Sequence, residues 1–261
     1  MWLDLSGVAA VPLPVGEGLL PGLEDARARI TAKTRAILLV TPNNPTGAEY
    51  PAGLLQGFFD LAREHGIALI TDETYRDFDS RAGAPHSLFR QPGWEATLIH
   101  LYSFSKAYRL TGHRTGAIAA SVARLLEMEK VLDTVTICPS QLGQIAAHWG
   151  IGNLQDWLAG ERQEILRRRA AIEAGFPVLA AKGWKLLGCG AYFAYVEHPF
   201  AASSDEIARR LVAEASVLAL PGTMFQPADD PAGHRQFRIA FANVGAAGIE
   251  ELFRRLAAFA T

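Results

Sequence analysis

Arg35-Ala36-Ile37-Leu38-Leu39-Val40 runs directly into Thr41-Pro42-Asn43-Asn44-Pro45-Thr46-Gly47. Five consecutive apolar residues bounded by Pro, Asn and Gly read as a buried strand that opens into a loop. Downstream the same grammar repeats. Pro51 to His65 places Leu54, Phe58, Leu61 and Ala62 on one face and stops at Gly66, the pattern of a helix with a C-terminal glycine. Ile67–Thr71, Thr97–Tyr102 and Gly116–Ala120 are further apolar runs of strand length.

Continuous apolar strands alternating with helices predict an α/β fold, with a mostly parallel sheet covered by helices on both faces. In such sheets ligands bind beyond the carboxyl ends of the strands. The polar clusters sit there: Asn43-Asn44 after the first strand, Asp72 to Tyr75 after the second and Ser103 to Lys106 after the third. Helices are expected at Val122–Asp133 and Ser140–Trp149, followed by a longer charged helix from Leu154 to Ala174. Beyond it the pattern changes. Strands are expected at Trp184–Leu187, Tyr192–Val196 and Phe237–Phe241, and helices at Ser204–Ala215 and Gly245–Ala260. This divides the chain into a large domain, residues 1–153, and a smaller C-terminal α+β domain, residues 154–261, with the long helix as the bridge.

Composition excludes several classes. A net charge of −2 without a Lys/Arg-rich block argues against a nucleic-acid partner. No apolar run approaches the length of a membrane span. The first residues carry no basic, cleavable leader pattern, so a cytoplasmic setting is expected. The two cysteines, Cys138 and Cys189, have neither CxxC spacing nor flanking histidines. They read as buried free thiols rather than as a metal site or disulfide.

Four strings carry chemistry. Ser103-Phe104-Ser105-Lys106, with Arg114 eight residues on, suits a phosphorylated aldehyde. An amine forms a Schiff base, while hydroxyls and a guanidinium hold a phosphate. A solvated lysine is the alternative. Asp72, just past a strand, suits a pyridinium nitrogen, and Tyr75 suits a phenolic oxygen. A helix N-cap by Asp72 is the alternative. Asn44 in the turn Asn44-Pro45-Thr46-Gly47 offers an amide to the same oxygen. Arg238, flanked by Phe237 and Ile239, needs a partner if buried, and a substrate carboxylate would serve. An edge-strand arginine facing water is the alternative. His100, His113 and His148 receive no role.

The order and spacing are more specific than any one string. The NPTG motif is followed about 28 residues later by Asp72-Glu73-Thr74-Tyr75, and about 31 residues after that by the Ser103–Lys106 string. Phe237-Arg238-Ile239-Ala240-Phe241 lies near the C-terminus. This resembles the class I/II aminotransferase family of fold-type I pyridoxal 5'-phosphate enzymes, from about Ile30 to the end. The resemblance implies Lys106 as the Schiff-base lysine and Asp72 as the partner of the pyridine nitrogen. It implies Asn44 and Tyr75 as donors to the phenolic oxygen, and Ser103, Ser105 and Arg114 as phosphate ligands. Arg238 is implied as the arginine for the substrate α-carboxylate, with Gly190–Phe193 lining the substrate side. Leu220–Phe225 resembles the loop that precedes the arginine strand. An amino acid and a 2-oxo acid are the implied substrates, and a homodimer the implied assembly.

One departure stands out. Only about 40 residues precede the NPTG motif. By the resemblance, Met1 to Val15 corresponds to a strand and helix end, and the chain reads as truncated at its N-terminus. A glycine-rich phosphate turn and a ring-stacking aromatic are then missing. That predicts an open sheet edge, exposed apolar surface and weak cofactor retention. The same motifs also serve carbon–sulfur β-lyases and other fold-type I enzymes. A non-catalytic half of a regulator and an inactive fragment are further readings.

Overall fold

The run Ala36–Val40 forms strand β1. In the computed structural model, which describes residues 5–259, it pairs in parallel with β2 (Ala68–Asp72). Strand β2 pairs in parallel with β3 (Leu98–Ser103), and β4 (Gly116–Ala119) runs antiparallel to β3. The strands stand in chain order across this first sheet. A second, antiparallel sheet holds β5 (Lys185–Gly190), β6 (Phe193–Glu197), β7 (Leu220–Pro221) and β8 (Gln236–Ala240), in the order β5-β6-β8-β7. The helices are α1 (Leu23–Arg29), α2 (Ala52–Glu64), α3 (Val122–Val135), α4 (Gln141–Asn153), α5 (Gln155–Gly175), α6 (Pro177–Ala180), α7 (Ser204–Ala215) and α8 (Ala246–Ala258). The architecture is α/β, with a smaller α+β unit behind it.

Helix α2 shows why the segments fold as they do. Pro51 precedes its first turn with φ −58°, and Gly66 follows its end at φ +64°, a left-handed geometry that glycine adopts without strain. Its Leu55, Phe58, Phe59 and Ala62 are almost fully buried against Leu39, Leu69 and Leu98 of the sheet. Each such side chain contributes about 2 kcal/mol of transfer free energy. The second core gathers Ile165 and Ile172 of α5, Phe193 of β6, Phe237 and Ile239 of β8, and Ile249 and Phe253 of α8.

Three expectations are corrected. Cover on both faces of the first sheet does not hold among the described residues. The face opposite α2 leaves Leu38 57% exposed and Ile118 40% exposed. Helix α3 leans over part of that face and leaves an apolar groove of about 530 Å³, lined in part by Ile99, Met128 and Val131. Leu126 of α3 and Leu142 and Ile145 of α4 are exposed as well. Secondly, Cys138 is exposed rather than buried, because it follows α3 in a turn that nothing covers; Cys189 is half-buried. Thirdly, Val8 to Pro14 forms neither strand nor helix, since no strand runs alongside to pair with it. The nearest ladder contact is the single bridge Val15–Pro21. Residues 1–4 lie outside the described part.

Candidate active site

The three parallel strands release their loops at one end of the first sheet, and the second sheet closes over that end. The loop after β1 is organised by Asn43, not Asn44. Asn43 Oδ1 accepts the Thr46 N–H (3.2 Å) and hydroxyl (2.8 Å), and its amide donates to the Val40 carbonyl at 3.2 Å. This inward anchoring leaves Asn44 free to face outward. Gly47 sits at φ +75°, and a Cβ there would lie 2.4 Å from the Gly190 nitrogen. A Cβ on Gly190 would lie 2.2 Å from the Gly47 carbonyl oxygen. Glycine at both positions is what lets the loop touch the end of β5.

That contact brings β8 to the loop. Arg238 Nη1 donates to Asn44 Oδ1 at 2.8 Å, across 194 residues of chain. Its guanidinium lies between the rings of Phe193 and Phe225, 4.7 and 4.8 Å from their centroids. Strand β8 lies between β6 and β7, so Arg238 is not on an edge strand. Its Nε is buried without a hydrogen-bond partner. Burial pushes the guanidinium pKa down, while the nearby Tyr75 pushes it up. A half-buried cation with an unused donor is suited to an incoming carboxylate.

Asp72 ends β2, and its Oδ1 accepts the Thr74 N–H (3.0 Å) and hydroxyl (2.6 Å). This turn carries Tyr75 into the second sheet, edge-on to Tyr192 at 5.4 Å and Phe193 at 5.2 Å. Burial raises the Tyr75 hydroxyl to about 12, opposed by Arg238 and aided by Asp72. It therefore stays a proton donor through the neutral range. Lys106 Nζ lies over the Tyr75 ring, 5.8 Å from its centroid, and makes no ion pair among the described residues. The Ser105 N–H donates to Ser103 Oγ at 3.3 Å. Arg114, exposed and at φ +52°, donates to the Thr111 carbonyl, whose hydroxyl donates back to the Ser105 carbonyl. Arg114 thus belongs to the loop of Lys106 and is exposed at its rim. Asn44, Asp72, Tyr75, Lys106 and Arg238 converge; Ser103, Ser105 and Arg114 flank them.

Residues 4–256 match the family described as Aminotransferase class I and II. The chain belongs to this family. Among its relatives it is 30% identical over 228 residues to aromatic-amino-acid aminotransferase 2 of Thermococcus litoralis, covering 84% of this chain and 56% of that protein. It is 28% identical over 256 residues to the probable aspartate/prephenate aminotransferase of Thermus aquaticus, covering 96% of this chain and 62% of that protein. Among solved structures, aspartate aminotransferase of Thermus thermophilus with maleate superposes at a TM-score of 0.85 with 28% identity, over 98% of this chain and 65% of that one. The chain thus spans between about half and two thirds of the length of these class I/II relatives.

The site holds groups to which the sequence alone gave no individual role. Phe225, in the turn before β8, covers Arg238. Glu73, beside Asp72, is wholly buried with two histidines. A carboxylate inside the Asp72–Tyr75 string was the available signal, but only the fold reveals that it points inward. Among the described residues there is no metal-ligating cluster, and no helix is long and apolar enough to cross a membrane.

Proposed function

We propose that this chain carries the cofactor-binding and substrate-binding residues of an aminotransferase. The enzyme would move an amino group between an amino acid and a 2-oxo acid, with pyridoxal 5'-phosphate as cofactor. The reading rests above all on the meeting of Arg238 and Asn44 beside Tyr75 and Lys106, with Arg238 Nε lacking a partner. The donor set suits the cofactor: an amine without an ion pair, a carboxylate with a spare oxygen, a protonated phenol and a loop of hydroxyls. When bound, pyridoxal 5'-phosphate supplies an electron-withdrawing ring that makes the substrate Cα proton acidic.

Lys106 would hold the cofactor through its aldehyde, and its amine, when free, would serve as the base and acid that moves the substrate Cα proton. Asp72 would pair with the ring nitrogen and keep it protonated through Coulomb attraction. Asn44 and Tyr75 would donate to the phenolic oxygen. Ser103, Ser105 and Arg114 would hold the phosphate. Arg238 would bind the substrate α-carboxylate as a fork.

The relatives bear names spanning aromatic amino acids, aspartate, prephenate and LL-diaminopimelate. What unites most of these is the α-amino acid end, the part Arg238 recognises, so the side-chain class is left open. We also propose a domain boundary at residues 153/154, a homodimer and a cytoplasmic setting.

Adding pyridoxal 5'-phosphate at millimolar concentration to the purified chain should produce a visible absorbance band, absent in Lys106→Ala. Amino transfer should require a 2-oxo acid acceptor. Release of pyruvate and ammonia without an acceptor would instead indicate a β-lyase. Absence of the band in the unaltered chain would overturn the reading.

A further inference from the structure

Among the described residues, the most heavily buried charge lies one peptide from Asp72. Side chains alternate along β2, so Glu73 points away from Asp72, to the face where His100 of β3 lies. The Glu73 side chain is 0% exposed, His86 2% and His100 8%. Glu73 Oε1 is 2.5 Å from His86 Nε2. His86 Nδ1 accepts the Leu88 N–H at 3.2 Å, so the proton sits on Nε2 and is donated to Glu73. Oε2 lies 3.5 Å from both His100 Nε2 and Arg76 Nη1. These distances are at the limit of hydrogen bonding, and Oε2 has no well-directed partner. Burial works to raise the Glu73 carboxyl, but the N–H groups of His100 and His86 that face it outweigh this and hold it down to about 2.

A leucine would fill this space without the cost of burying a charge. What the carboxylate adds is direction. Its partners come from β3, from the loop before Leu88 and from the turn itself. The backbone is tied as well: the Glu73 N–H donates to the Leu101 carbonyl at 2.9 Å, and the Arg76 N–H to the Glu73 carbonyl at 3.0 Å. Residues 72 to 76 are therefore clamped at their middle, and the orientation of Asp72 depends on Thr74 within that clamp.

We infer that Glu73, held by His86, His100 and Arg76, is a positioning residue that aims Asp72 and Tyr75 at the cofactor. The inference rests on the cofactor reading above for its target, but not for its first test. That test is hydrogen exchange of the chain without cofactor. In Glu73→Gln the Thr74 and Arg76 amides should be accelerated roughly tenfold more than Leu69 and Ile70 in the same strand, whose exchange follows the global loss of stability. Equal acceleration across β1–β3, with no excess at Thr74 and Arg76, would overturn the inference. If Glu73→Gln does not fold, His86→Gln removes one partner only, and the same local pattern at smaller amplitude is expected. The second test is a double-mutant cycle in pyridoxal 5'-phosphate affinity. Glu73→Gln should weaken binding roughly tenfold alone and little in an Asp72→Asn background; simple additivity overturns the inference. If the unaltered chain binds no cofactor, the functional reading fails, while the exchange experiment still decides the role of Glu73.

Discussion

Replacing Glu73 by glutamine keeps the shape of the buried side chain and removes its charge. The carboxyl is held at about 2 in the fold, against an ordinary value of 4.5. At about 1.4 kcal/mol per pH unit, that gap corresponds to about 3 kcal/mol of stability. The sign follows from the direction. A depressed carboxylate stabilises the fold above its unfolded value, and the contribution is lost as pH falls from 4.5 towards about 2. Glutamine cannot titrate, so this contribution is absent from the variant at every pH. Urea unfolding followed by tryptophan fluorescence should show the variant less stable by about 3 kcal/mol at about pH 6. Less than half of that gap should remain at about pH 3. The facing groups are His86, His100 and Arg76. A gap below about 1 kcal/mol at about pH 6, or one that widens on acidification, would refute the claim that these partners outweigh the desolvation of Glu73.

Three more expectations concern separate parts of the molecule. Arg238→Ala should weaken binding of an amino acid by about a hundredfold and leave its amide derivative nearly unaffected, as read by spectroscopic titration of the cofactor-loaded chain. Gly190→Ala forces a Cβ to 2.2 Å from the Gly47 oxygen; thermal unfolding should report a loss of about 1–3 kcal/mol as the two backbones separate. The exposed apolar side chains Leu38 and Ile118 of the first sheet and Leu126 of α3 should drive self-association above the 28.2 kDa monomer mass in light scattering. Leu126→Lys should reduce it with little change in the stability of the monomer.

Much of this was legible in the sequence because it is local. Apolar runs between Pro, Gly and Asn locate β1 to β3, and the polar strings at their carboxyl ends locate Asn44, Asp72, Tyr75 and Lys106. Helix α2 could be read almost to the residue from its periodicity and Gly66. What escaped was set by neighbours distant in sequence. Cys138 read as buried because lone cysteines often are, yet nothing packs on its turn. Glu73 read as part of a polar string, yet it points into the core because His86 and His100 await it there.

The sequence by itself determined the α/β class, the membership of the motif set and the order in which the reactive residues appear, since strand, turn and helix preferences act over a few residues. Only the tertiary structure decided that Arg238 meets Asn44, and that two glycines let the sheets approach closely enough for this. It also decided which face of the first sheet is left partly uncovered among the described residues. These are packing outcomes between segments up to 194 residues apart, and backbone proximity of that kind depends on the volume of every side chain between them.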